Sequence, residues 1–243
     1  MGEERDPGGP HGAPAYRERG SRLPGAVLWT TTVLPSVRPV LPDGCMDLIW
    51  TEGRLLVAGP DTGPHHPAAA GAPPGARFTG LRFAPGQGPD VLGVPAHELR
   101  NLRVPLEELW PAGRVRELAG RVAAEGAAAL EEAAGARLSP AAPGRSRIAA
   151  VAAALARGRP VAEVARAAEL GERRLYRLSL DAFGYGPKTL TRVLRFVRAM
   201  DLARAGVPYA EAAARAGYAD QAHLAREVKS LAGAPMGVLL ASG

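Results

Sequence analysis

One cysteine, Cys45, stands in 243 residues. A lone thiol excludes an internal disulfide and a Cys-rich zinc site, and it fits a reducing compartment, so a cytoplasmic location is expected. Histidine is scarce too: His11, His65, His66, His97 and His223 are the whole set. None forms a His-x-His pair, and the adjacent His65 and His66 would face opposite sides of a strand, which argues against a strand-borne metal site. No cofactor and no metal are expected, and no residue is assigned a catalytic role. No apolar run is long enough to cross a bilayer, so no membrane partner is expected. The opening MGEERDPGGPHGAPAYRERG lacks the apolar segment of a signal peptide. It is charged and rich in Pro and Gly, and residues 1–15 are expected to form a disordered tail. Lysine is almost missing, with Lys188 and Lys229 the only two among 30 basic residues. That Arg bias, with abundant Ala, Gly and Pro, suggests a GC-rich bacterial genome.

The charge is uneven. Residues 145–243 hold sixteen basic and eight acidic side chains, whereas the first 144 residues hold fourteen and sixteen. A basic final hundred residues beside a near-neutral remainder points to a polyanionic partner for the C-terminal part alone.

The pattern of elements divides at the same place. AVLWTTTV, MDLIW, RLLVAG and RFTGLRF are short β-rich runs separated by Pro and Gly. GPDTGPHHPAAAGAPPGA (59–76) reads as a low-complexity loop. A helix follows over 113–134, with Val115, Leu118, Val122, Leu130 and Ala133 near one face. Gly126 interrupts it and Gly135 is placed to cap it. LSPAAPGRS contains the best linker, so the division expected is a β-rich domain with a trailing helix over 16–137, a linker over 138–146 and an all-α domain over 147–243. Within the last, seven helices are expected, the long central one over 187–205 after Pro187.

Two stretches of this basic domain share one plan. VAEVARAAELGERRLYRLSLDAFG (161–184) sets small residues on a first helix, a tight connection, then an Arg-rich second helix. PYAEAAARAGYADQAHLAREVKSLAG (208–233) repeats it, with Gly233 falling within one residue of the counterpart of Gly184. Small residues let two helices cross closely, which is the helix-turn-helix plan. The helix between the units would run roughly 28 Å. Units held at its ends could reach adjacent major-groove segments about 34 Å apart on one face of DNA.

GYGPKTLTRVLRF and GYADQAHLAREVKSLAGAPM carry a resemblance to the DNA-binding domain of AraC-type (AraC/XylS) transcription regulators over roughly residues 147–240. Gly217, Tyr218, Asp220, His223, Arg226, Lys229, Gly233 and Pro235 match the family pattern position by position. In the first unit Arg173, Leu175, Arg177 and Gly184 fit, whereas Gly171 replaces the usual Ser cap and Ser179 the usual Phe. The resemblance implies a sequence-specific, DNA-binding transcription regulator. It implies double-stranded DNA contacts from Arg173, Arg174, Tyr176 and Arg177 in the first unit. In the second unit it implies contacts from Gln221, His223, Arg226 and Lys229. Lys188 and Arg192, with Arg195 and Arg198, suit phosphate contacts along the joining helix, although Arg195 or Arg198 reads equally well as solvated. Leu175 and Leu178 are expected in the core, Asp220 as a helix cap. For His223, base contact and packing both stay open.

The β-rich half resembles the cupin-like barrel sensor of the same regulators, and LPDGCMDLIW resembles a segment of one such group. The fold class expected is α+β, a barrel followed by two helix-turn-helix units on a long helix. A small-molecule effector is the family implication, with its binding residues unknown. RNA polymerase is the further partner implied for an activator. The helix at 113–134 either pairs with its copy in a homodimer or packs on the barrel. Cys45 is either a sensor or a buried structural thiol. The rival functions are an enzyme on the barrel and a DNA-binding or partner-docking protein without a ligand.

Overall fold

The computed structural model describes residues 16–32, 39–66, 75–138 and 144–241. The expected tail 1–15 lies outside the described residues, as do 67–74 of the expected loop and 139–143 of the expected linker.

Six strands form one antiparallel sheet: β1 (Tyr16–Gly20), β2 (Val27–Thr32), β3 (Asp47–Thr51), β4 (Arg54–Ala58), β5 (Arg77–Arg82) and β6 (Arg103–Pro105), in the order β1-β2-β5-β3-β4-β6. Alternation decides the faces. Leu28, Leu81, Leu48, Val57 and Val104 stand in one cross-strand row. That row faces the hydrophobic core. The adjacent row on the other face reads Val27, Arg82, Asp47, Ala58 and Arg103. The β3–β4 hairpin turns through Glu52 and Gly53, both at positive φ, as a twisted two-residue hairpin needs.

The expected β-rich domain is there, but its closure into a barrel is not: among the described residues β1 and β6 make no pair with each other. β1, whose sequence YRERG has no apolar alternation, is exposed along its whole length. Its pairing to β2 is set by the backbone ladder and by Tyr16, stacked on Trp29 at 6.4 Å.

Three helices complete this half: α1 (Gly88–Leu92), α2 (Ala112–Glu125) and α3 (Ala128–Arg137). Val115, Leu118, Val122, Leu130 and Ala134 pack into the sheet's core. The apolar face that could have paired with a second copy is thus used within the chain. Gly126 separates α2 from α3 at φ 75, ψ −155, a conformation only glycine adopts freely. The cap expected at Gly135 is corrected: Gly135 lies inside α3, which runs on to Arg137 and ends at buried Leu138.

The remaining helices are α4 (Arg145–Ala156), α5 (Val161–Ala167), α6 (Glu172–Phe183), α7 (Pro187–Arg204), α8 (Tyr209–Arg215), α9 (Gln221–Ala232) and α10 (Met236–Ala241). α4 starts two residues before the expected domain start. Two cores share α7. Leu190 belongs to the first, with Leu155, Leu175 and Phe183; Phe196, Ala199 and Met200 belong to the second, with Leu224 and Val228.

The sheet domain is docked on these helices. Tyr185, 1% exposed, donates its hydroxyl to the Asp61 carbonyl at 2.5 Å. The Gly184 carbonyl accepts from Arg100 at 3.3 Å, and a Cβ on Gly184 would sit 2.5 Å from Pro60. Leu41 packs into the second core, and Gly44 (φ 78) lies against Leu190 and Leu194 of α7. The LPDGC loop therefore touches the helix that joins both units.

Candidate nucleic-acid interface

α6 and α9 are built alike. Each has twelve residues, and each ends on a left-handed glycine, Gly184 at φ 78 and Gly233 at φ 72. Leu175, Ser179, Ala182 and Phe183 are buried in α6; Leu224, Val228, Leu231 and Ala232 take the same places in α9. Ahead of them, Val164 and Ala165 of α5 and Ala212 and Ala213 of α8 are buried small residues at the crossing. The equivalence puts Arg177 and Arg226 at one position, at the centre of each exposed face.

The caps differ. Asp220 accepts from the His223 backbone N–H at 2.6 Å, the role expected of it, whereas Gly171 offers no side chain to α6. Ser179 fills the place of Val228 with less volume, and its buried Oγ has no hydrogen-bond partner. The first unit is thus the less well secured of the two.

Arg173, Arg174 and Arg177 are exposed on α6, and no ion pair among the described residues holds them. Tyr176, half exposed, leans over Gly186, where a Cβ would meet its ring at 2.5 Å. Arg173, Tyr176, Gly186, Pro187, Lys188 and Thr189 border a cleft of about 440 Å³ at the start of α7. In α9, Gln221, Arg226 and Lys229 are exposed, with Ser230 beside them. Ala222 and Ala225 stand where α6 has Arg173 and Tyr176, so the second face is flatter.

Two basic residues turn inward. Arg192, expected to be free for phosphate, donates to Glu227 at 2.6 Å and Ser230 at 2.7 Å, bracing α7 against α9. These bonds take two of its five N–H donors, and its other amino group makes no hydrogen bond among the described residues. Arg195 stacks over Tyr218 at 4.2 Å and donates to the Gly217 carbonyl. Burial pushes the Tyr218 hydroxyl's pKa up. His223 is half buried with its ring edge-on to Tyr218 at 5.2 Å, the packing arrangement of its two readings. Lys188 and Arg198 remain exposed.

On the sheet's polar face, Arg82 lies 3.1 Å from Asp43 and 3.5 Å from Asp47, and Asp47 accepts from the Trp29 indole at 2.6 Å. Burial outweighs Arg82 and raises the Asp47 carboxyl to about 6. Burial first, then Asp43, pushes the neighbouring Cys45 thiol well up, which leaves it poorly nucleophilic at neutral pH. No group of three His, Cys, Asp or Glu among the described residues is arranged to hold a metal ion.

Residues 164–241 match the family of the helix-turn-helix domain of AraC-type regulators. The C-terminal domain is thus a helix-turn-helix domain of the AraC type. It supports a DNA-binding transcription regulator. Residues 26–105 match a domain of unknown function, DUF6597. No curated protein matches the chain. Among solved structures, an apo variant of ToxT from Vibrio cholerae is 11% identical, with a TM-score of 0.50 over 92% of this chain and 98% of that one. A 1.65 Å structure of ToxT is 7% identical, with a TM-score of 0.50 over 93% of this chain and 98% of that one. At these identities the likeness shows a shared fold: a sheet domain followed by the helical DNA-binding domain. No helix among the described residues is long and apolar enough to cross a membrane.

Proposed function

We propose that this AraC-type regulator reads a specific operator with α6 and α9 in successive major-groove segments, under the control of a small molecule that acts through the sheet domain. The observation that carries the reading is the equivalence of α6 and α9, both polar on the outer face and joined by α7. Eighteen residues of helix span roughly 27 Å at 1.5 Å per residue, comparable to the roughly 34 Å of one DNA turn. Arg173, Arg174, Arg177, Gln221 and Arg226 are the proposed base readers, since guanidinium and amide groups bond base edges bidentately. Tyr176, Lys188, Lys229 and the free amino group of Arg192 are assigned to the backbone, and His223 mainly to packing. Effector control is supported by the LPDGC loop on α7 and by Tyr185 on Asp61, which tie the sheet to the helix that sets the spacing of the two units.

Selection of bound duplexes from a random pool by the full chain, with and without a bacterial small-molecule extract, tests both parts. A bipartite consensus with centres about one turn apart is expected, and its recovery should change with extract. A pool that emerges without sequence preference would overturn operator reading.

A further inference from the structure

The C-terminal ends of α6 and α9 are occupied. A Cβ on Gly184 would lie 2.5 Å from Pro60 and one on Gly233 3.4 Å from Pro64, so one loop of the sheet domain covers both caps. Asp181 is paired with His97 at 3.4 Å, and its counterpart Ser230 accepts from Arg192 at 2.7 Å. What stays open on each helix is the first two turns of its outer face, the part that a recognition helix offers to base edges. Positions i, i+1, i+4 and i+5 share that face. In α6 they hold Glu172, Arg173, Tyr176 and Arg177; in α9 they hold Gln221, Ala222, Ala225 and Arg226, and all eight are exposed. The neighbouring pair of positions differs as well, since Arg174 is exposed whereas His223 is held against the Tyr218 ring at 5.2 Å.

The two stripes suit different bases. Arginine donates to guanine O6 and N7, and a carboxylate accepts from cytosine N4. Glutamine pairs with adenine N6 and N7, and the alanine methyl packs on the thymine methyl. We propose that the operator is chemically asymmetric, with G·C pairs under α6 and A·T pairs under α9. Arg173 and Arg177 take guanines and Glu172 a cytosine. Gln221 takes an adenine, Ala222 and Ala225 take thymine methyls, and Arg226 keeps one guanine. Each stripe also rejects the other's bases. Alanine set against cytosine covers the N4 amino group without accepting from it, and arginine set against a thymine methyl is left with unpaired donors. Side-chain length acts in the same direction. Alanines at 222 and 225 let α9 approach to the roughly 4 Å of methyl–methyl contact, which the longer Arg173 and Tyr176 deny to α6. The inference rests on the placement of α6 and α9 in the major groove and names the bases that this placement selects.

The test starts from the duplexes that the full-length protein selects from a random pool. Fluorescence anisotropy of the unaltered protein then reads the contacts with base analogues: deoxyuridine for thymine removes only the methyl group, and 7-deazaguanine for guanine removes only the N7 acceptor. One half-site should be rich in G·C and lose affinity about fivefold or more with 7-deazaguanine at two positions. The other should be rich in A·T and lose about threefold or more with deoxyuridine at one position or more. Ala222→Arg gives α9 the side chain of α6 at an exposed position. It should exchange thymine for guanine at one base pair of the A·T half, shifting that preference about tenfold or more and leaving the G·C half as it was. Its thermal midpoint shows whether the variant is folded, and the analogue series on the unaltered protein stands without it. Halves of the same composition, or analogues that act equally in both halves, overturn the asymmetry. An exchange that falls in the G·C half, or none in the folded variant, overturns the assignment of the A·T half to α9. A pool without any sequence preference overturns operator reading, and this inference with it.

Discussion

Arg177→Ala and Arg226→Ala together test the central claim about how DNA is read. Both side chains sit at the middle of an exposed helix face, and neither has an ion-pair partner among the described residues. Truncation should therefore change folding stability by less than about 0.5 kcal/mol, as for other surface positions. A bidentate contact to one base pair discriminates by about 1–3 kcal/mol. At about 1.4 kcal/mol per tenfold, that is roughly 5- to 150-fold in affinity for the preferred base. The assay is fluorescence anisotropy of each variant against operators substituted at single positions. Each variant should lose preference at one base pair, and the two positions should lie about 10 base pairs apart, because equivalent residues on the two units face successive turns. A uniform loss across all operators, with the salt slope reduced by about 0.9, would instead mark a phosphate contact. Unaltered preference in both variants, or relaxation of the same position by both, would refute the placement of α6 and α9 in neighbouring groove segments.

Ser179→Ala should raise stability by about 1 kcal/mol, because it removes a buried hydroxyl that has no partner, and the thermal midpoint should rise by about 2–4 °C. Arg192→Ala should lower stability by about 1 kcal/mol as Glu227 loses its partner, and a double-mutant cycle with Glu227→Gln should recover most of that as coupling. Asp47 holds its proton up to about 6 in the folded protein, against about 3.9 in an unfolded chain. The stability linked to this group is complete below about pH 4 and is lost as pH rises through 6, a change of roughly 2–3 kcal/mol. Asp47→Asn should flatten urea-unfolding stability across that range, and an unchanged slope would place the titration elsewhere. Tyr185→Phe should cost about 1 kcal/mol by leaving the buried Asp61 carbonyl without its donor, read from urea unfolding of the full chain.

What the sequence alone determined is local or repetitive. The 3.6-residue spacing of Leu, Val and Ala marks the seven C-terminal helices, the glycines at 184 and 233 mark two ends, and the shared plan of 161–184 and 208–233 makes α6 and α9 equivalent. Alternation marks β2 to β5. β1 escaped because YRERG buries none of its side chains, and β6 is three residues long, too short for alternation to show. Tertiary structure alone decided how the charges are used. Arginine reads the same in sequence whether it faces DNA or a carboxylate; Arg192 is turned inward by Glu227, 35 residues away, while Arg177 meets no such partner among the described residues. The docking of Tyr185 on Asp61 joins residues 124 apart. Such contacts depend on the folded path of the chain, whereas periodicity and glycine caps act within a few residues, which is why those could be read in advance and these could not.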